Sequence, residues 1–173
     1  MEFRKFKELI KNEIIKITIK DKFLNLYHFK TIEDCDFEKL LKIRNNKRIL
    51  DMMINQKKIS SFEHKNFINS YKRLNRVDFI IISKKGDYVG SVYLTYKNKK
   101  LEIGKYIGDD KYLNKGIAYI ASNCLISLIK KIDKSQTIFS TTRINNKINI
   151  KINEKLGFKK IIEEENFVTM ILK

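Results

Sequence analysis

Gly104, Gly108 and Gly116 fall within thirteen residues of a chain that has only six glycines and no proline. The run "LEIGKYIGDDKYLNKGIA" passes from an alternating strand pattern, through the strand's end, into the first turn of a helix. A helix start gathers unpaired backbone N–H groups and the positive end of the helix dipole. A glycine there lets an anion approach the backbone closely. The residues therefore read as an anion site suited to a pyrophosphate. The plainer alternative is that Gly116 relieves crowding between helix and strand. Glycine in a helix costs about 1 kcal/mol against alanine, so either reading must supply a reason for it.

Three other groups bear on chemistry. Glu102 lies on the strand that leads to this turn, where its carboxylate could take a proton directly or through water; otherwise it is a strand-surface glutamate paired with a nearby lysine. Asn146, Asn149 and Asn153 share one face of a short helix. An amide donates hydrogen bonds but is no general acid at neutral pH, so this face either meets a ligand or is solvated. Arg44 and His64 precede the central strands, with ordinary readings as a helix-surface base and a core histidine. Cys35 and Cys124 match no metal or redox spacing, and Cys124 sits on an apolar stripe as a buried thiol. No metal site is expected.

These residues need elements to position them. Phe3, Phe6, Leu9 and Ile10 are spaced as an amphipathic helix, and "KFLNLYHFK" alternates loosely as a strand. "DCDFEKLLKIRN" and "RILDMMIN" read as helices. Ser60 and Glu63 form a capping box that opens a helix carrying His64, Phe67, Ile68, Tyr71 and Leu74. Residues 77–96 form a hairpin around Lys-Gly-Asp, followed by a strand over 101–107. Ile117, Ala121, Cys124, Leu125, Leu128 and Ile132 make a helical stripe. "QTIFSTT" is a strand, Asn149 to Leu156 a helix ended by Gly157 at its C′ position, and "FKKIIE" and "NFVTMILK" are closing strands. A single helix between strands 101–107 and 137–142 requires a parallel crossover. The expected fold is a mixed α/β sheet, a β-meander joined to a parallel crossover, in one domain over 1–173. Residues 1–20 are a possible helical extension.

The formal charge of +17 favours anionic partners. The lysines are scattered rather than clustered, which disfavours a dedicated nucleic-acid module. No apolar run approaches the roughly 18 residues of a membrane span, and the first twenty residues lack a signal-peptide core. A cytoplasmic protein with a small-molecule partner is expected.

"YLNKGIAYIASNCL", followed by "NNKINIKINEKLGFKKI", resembles the GNAT family of N-acetyltransferases over nearly the whole chain. The family's Gln/Arg-x-x-Gly-x-Gly/Ala signature stands here as Leu113 to Ala118, with the first position changed to leucine. The resemblance implies acetyl-CoA as co-substrate, with Lys115, Gly116, Ile117 and Ala118 at its pyrophosphate and Tyr106 and Ile107 along the pantetheine arm. The second signature runs from Asn146 to Phe158 and keeps "EKLGF". It implies that Asn146 meets the cofactor. The family's thiolate-protonating tyrosine is replaced by Asn153, which then hydrogen-bonds the thiolate while water protonates it. By the same resemblance Glu102, in its "E-I-G" context, is the general base.

Arg44-Asn45, Ile49, Met53, His64 and Phe67 resemble, within that family, the amino-sugar nucleotide N-acetyltransferases of the pseudaminic acid pathway. Thr95 also matches after Gly90. This implies that Arg44 and His64 hold a nucleotide diphosphate while Met53 and Phe67 wall the sugar. The expected function is acetylation of a UDP-4-amino-4,6-dideoxy sugar for surface-glycan or flagellin-glycan precursors. The alternatives are a protein N-terminal acetyltransferase of the ribosomal-protein type and a non-catalytic CoA-binding module. A homo-oligomer stays open.

Overall fold

The computed structural model describes residues 2–172. Helix α1 (Phe3–Ile14) leads into strands β1 (Thr18–Lys20) and β2 (Leu26–Thr31), then helices α2 (Phe37–Arg44), α3 (Lys47–Met52) and α4 (Ser61–Ser70). Strands β3 (Arg76–Ser83), β4 (Tyr88–Lys97) and β5 (Lys100–Ile107) follow. Helix α5 (Ile117–Ile132), β6 (Ile138–Arg143), α6 (Lys147–Lys155), β7 (Phe158–Glu163) and β8 (Phe167–Leu172) complete the chain. One eight-stranded sheet runs in the order β1-β2-β3-β4-β5-β6-β8-β7. Every neighbouring pair is antiparallel except β5 and β6. The crossover through α5 is therefore parallel, as its length requires.

Local chemistry accounts for the helix ends. The Asp36 side chain accepts from Lys39 N, and Ser60 and Glu63 satisfy each other's backbone N–H groups. Such caps stabilise a helix by about 1 kcal/mol each. Gly157 takes φ of 91° directly after the C-terminal end of α6, a conformation that favours glycine. The three-residue β1 escapes a periodicity reading because it is too short to show alternation. The helix expected to carry Leu74 ends sooner, with a 3₁₀ turn over Tyr71–Arg73.

Strand parity divides the sheet into two faces. Val77, Phe79, Val92, Leu94, Leu101, Ile103, Ile138, Val168 and Met170 pack beneath α1 and α5 in the main core. Ile80 and Ile82 turn to the opposite face, with Leu40 of α2 and Tyr71. Helix α1 is no loose extension: Phe6, Ile10 and Ile14 are fully buried in that core, and the Phe3 ring stacks on Tyr96 at 4.9 Å. Cys124 is half-buried rather than buried, and neither cysteine is paired. No helix among the described residues is long and apolar enough to cross a membrane.

Candidate active site

Strand β5 stays with β6 for two rungs only, Leu101 with Ile138 and Glu102 with Phe139. Beyond Glu102 the strands diverge, and a slit opens through the sheet. Leu101 N bonds Thr137 O across this pair. Strand alternation then directs the backbone groups of Ile103 and Lys105 into the slit. These are edge-type donors and acceptors at the middle of a sheet.

The slit runs toward the start of α5. Gly116 there has φ of 82° and ψ of 0°, and α5 receives no side-chain cap. The caps of α2, α4 and α6, by contrast, come from Asp36, Ser60 and Asn146. A β-carbon on Gly116 would come no nearer than 3.8 Å to Ile120, so crowding does not explain the glycine. The left-handed backbone does, and it leaves the first N–H groups of α5 open to an anion. Asn114 is also left-handed, with φ of 60°. Lys115 offers its carbonyl to Lys22 N at 3.3 Å, with its ammonium 5.1 Å above the Tyr112 ring. Ile117 is buried in the core, so only its backbone can serve a ligand. Gly104 and Gly108 are not part of this turn. The first makes room for the Tyr93 ring and the second for Ile43, since a β-carbon would fall 2.1 and 2.4 Å from them.

The three asparagines of α6 all turn inward. Asn146 caps the helix by accepting from Asn149 N at 3.1 Å, and Asn149 donates to Thr142 Oγ1 at 2.8 Å. Asn153 is fully buried. Its Oδ1 accepts from Lys105 Nζ at 2.5 Å and its Nδ2 donates to Ser140 Oγ at 3.2 Å. A solvated face is excluded for Asn153. Equally, its carbonyl is committed to Lys105. Burial pushes the Lys105 ammonium down to about 7. Sequence reading missed Lys105, although its parity with Leu101 and Ile103 was legible.

The opposite face collects the remaining groups. Arg76, Thr95, Glu102 and Phe139 form one row across four strands. Glu102 therefore sits at the apex of the slit, on the side away from Lys105. Tyr106 shares the Glu102 face, so its ring lies on the side away from Lys105. Ile107 keeps its side chain on the Lys105 side, and its carbonyl accepts from Arg48 Nη2 at 2.9 Å. Arg76 grips Asp78 with two bonds of 2.7 Å and stacks 3.9 Å above the Tyr93 ring. Asp78 also accepts from the Tyr71 hydroxyl at 3.0 Å.

Helices α2 and α4 close over this face. Burial holds the Arg44 guanidinium below its usual range, with Tyr106, Tyr93 and Arg76 nearby. Burial, and then Arg44, lower His64 as well, which favours its neutral imidazole. His64 packs between Phe37, at 4.6 Å, and Phe67, at 6.4 Å. Among the described residues, buried Arg44 Nη1 and His64 Nδ1 have no hydrogen-bond partner. Met53 directly follows the last residue of α3 and is half-buried. The chemistry on offer is thus a carboxylate and two unpartnered nitrogens on one face, an ammonium on the other, and an anion-ready helix start at the end of the slit.

The family model for the acetyltransferase (GNAT) domain matches residues 25–159. A domain from Methanocaldococcus jannaschii is similar at 30% identity and a TM-score of 0.75, over 84% of this chain and 97% of that one. Spermidine N-acetyltransferase from Vibrio cholerae, in complex with CoA and spermine, superposes with a TM-score of 0.73 at 17% identity, over 84% of this chain and 94% of that one. A GNAT-family acetyltransferase from Bacillus anthracis does so with a TM-score of 0.71 at 20% identity, over 90% and 98%. No curated protein sequence matches the chain. The mixed sheet and its parallel crossover are the GNAT fold, and the chain belongs to the GNAT family of acetyltransferases, enzymes that draw their acyl group from acetyl-CoA.

Proposed function

We propose that this acyltransferase moves acetyl from acetyl-CoA to the amino group of an amino-sugar nucleotide, of the UDP-4-amino-4,6-dideoxy type. The cofactor lies in the slit, its pantetheine amides bonding Ile103 and Lys105 as an added strand would. Its pyrophosphate meets Lys115 to Ala118 at the uncapped start of α5. The acceptor comes from the other face, where Glu102 takes the proton of the attacking amine.

The observation that carries the acceptor class is the pair of buried, unpartnered side-chain nitrogens, the Arg44 guanidinium donor Nη1 and His64 Nδ1. A buried donor without a partner costs about 1–3 kcal/mol. A diphosphate would supply an acceptor to Arg44, and to His64 in the tautomer that carries its proton on Nδ1. Met53 and Phe67 would flank the sugar, and Thr95, in the Glu102 row, is available to a hydroxyl. A polyamine such as the spermine in the Vibrio cholerae structure suits this face poorly, because Arg44 and the overall charge of +17 repel it. A basic protein N-terminus is disfavoured for the same reason.

Purified protein incubated with acetyl-CoA and a UDP-4-amino-4,6-dideoxy sugar is expected to release CoA. Release no faster than without the sugar, beside clear turnover of a peptide panel or spermidine, rejects the acceptor assignment. Arg44→Ala is expected to raise KM for the sugar nucleotide roughly 10–100-fold, as for loss of a charge-assisted bond, with kcat much less affected. Gly116→Ala should weaken CoA binding roughly tenfold, since φ of 82° costs a β-carbon about 1–2 kcal/mol. Calorimetry with CoA checks this, and an unchanged Kd removes the turn from the cofactor site.

A further inference from the structure

The slit separates the two proton transfers of the reaction. Glu102 stands on the acceptor face, and strand parity puts Lys105, three residues on, on the opposite face beneath α6. There Lys105 spans from β5 to Asn153, a contact of 2.5 Å. Asn153 is itself fully buried and anchored to Ser140 of β6. The ammonium is thus held across the opening by a group that cannot compete for its proton, since an amide oxygen only accepts. The backbone of the same residue faces into the slit.

We propose that Lys105 is the proton donor to the departing CoA sulfur and that Asn153 is its positioning residue. This rests on the reading of the slit as the acetyl-CoA site. When the tetrahedral intermediate collapses, the C–S bond breaks and its electron pair leaves on sulfur. The proton of Lys105 Nζ passes to that sulfur, giving the free thiol and a neutral amine. The proton lost by the acceptor amine goes to Glu102 and then to solvent, and solvent returns one to Lys105. One amine and one thioester become one amide and one thiol, with no net proton change.

The surroundings fit a donor that cycles between both forms. Val92 lies beside Lys105 on β4, Ser140 and Thr142 face its side of β6, and Asn153 descends from α6. No charged side chain on any of these elements or on α5 acts on it, and desolvation alone brings it to about 7. A free thiol ionises at about 8.5, so the ammonium is the stronger acid and transfer runs downhill. An ordinary exposed lysine, near 10.4, would be the weaker acid.

The test compares wild type, Lys105→Met and Lys105→Arg by CoA calorimetry and by kcat against pH with a saturating amine acceptor. Wild type is expected to lose kcat as pH rises through about 7, where the ammonium gives up its proton. Lys105→Met should bind CoA within about threefold of wild type, lose kcat by roughly 10²–10⁴, the usual worth of general acid help, and lack the alkaline limb. Lys105→Arg keeps the positive charge but not a titratable proton, so it should bind CoA and also lack the limb. A kcat within about threefold of wild type in Lys105→Met, or a limb that survives there, overturns the assignment. So does loss of CoA binding in both variants, which would make Lys105 a binding residue. Acetylation of Lys105 itself on incubation with acetyl-CoA alone would overturn it too, as the mark of a nucleophile. Failure of wild type to bind CoA at all rejects the cofactor site, and the donor with it.

Discussion

Glu102→Gln is expected to lower kcat by roughly 10²–10⁴ while CoA affinity stays unchanged. Its place predicts both results. Glu102 is the last residue of β5 paired with β6, so its side chain stands where the slit begins. Thr95 lies opposite on β4 and Phe139 on β6, and none of the partners that would fix a structural carboxylate reaches it among the described residues. The glutamine keeps the shape and the strand but cannot accept a proton. The proposed cofactor contacts, on the slit backbone and at the start of α5, do not involve it. Steady-state rates with calorimetric CoA binding check the split. An unchanged kcat, or a parallel loss of CoA affinity, rules Glu102 out as the base.

The largest stability effect is expected at Asp78. Its carboxylate takes both bonds from Arg76 and one from Tyr71 and is almost fully buried. Tyr71 is itself tied to α1, through Lys7 Nζ on its carbonyl at 3.1 Å. Asp78→Ala leaves the Arg76 charge unpaired beside Tyr93 and removes the acceptor for a buried hydroxyl. Breaking such a pair costs about 3–5 kcal/mol. For a chain of this size that lowers Tm by roughly 10 °C. Replacing both partners with apolar residues, Arg76→Met with Asp78→Leu, should cost less than Asp78→Ala alone, because no charge is stranded. Thermal denaturation of the three proteins decides it. A Tm within about 2 °C of wild type in Asp78→Ala shows that the network adds little to stability.

What the sequence made legible was what neighbouring residues determine. The capping box of Ser60 and Glu63, the glycine after α6 and the open helix start at Gly116 each depend on a few consecutive residues. The single-helix crossover likewise follows from its length. The pairings that assemble the site are long-range. Lys105 and Asn153 are 48 residues apart and meet only because two strands part after two rungs. Nothing in either strand's composition announces that parting. The insertion of β8 between β6 and β7 is equally invisible, since a closing hairpin can join a sheet by either strand. Parity also decides the place of Tyr106. It follows Lys105, so one of the two had to face each side, and Glu102 fixes which.

The two-rung contact between β5 and β6 has a mechanical meaning. It divides the sheet into a five-stranded plate and a three-stranded plate, joined at Leu101 and Glu102 and spanned from one side by α5. A pantetheine arm lying between them would act as mortar, replacing ladder bonds that the protein leaves out. The substrate then becomes a structural member of the sheet. Resistance to unfolding would rise with its concentration as RT ln(1 + [L]/Kd), and the plates would be held at their working angle only while the pantetheine arm is bound.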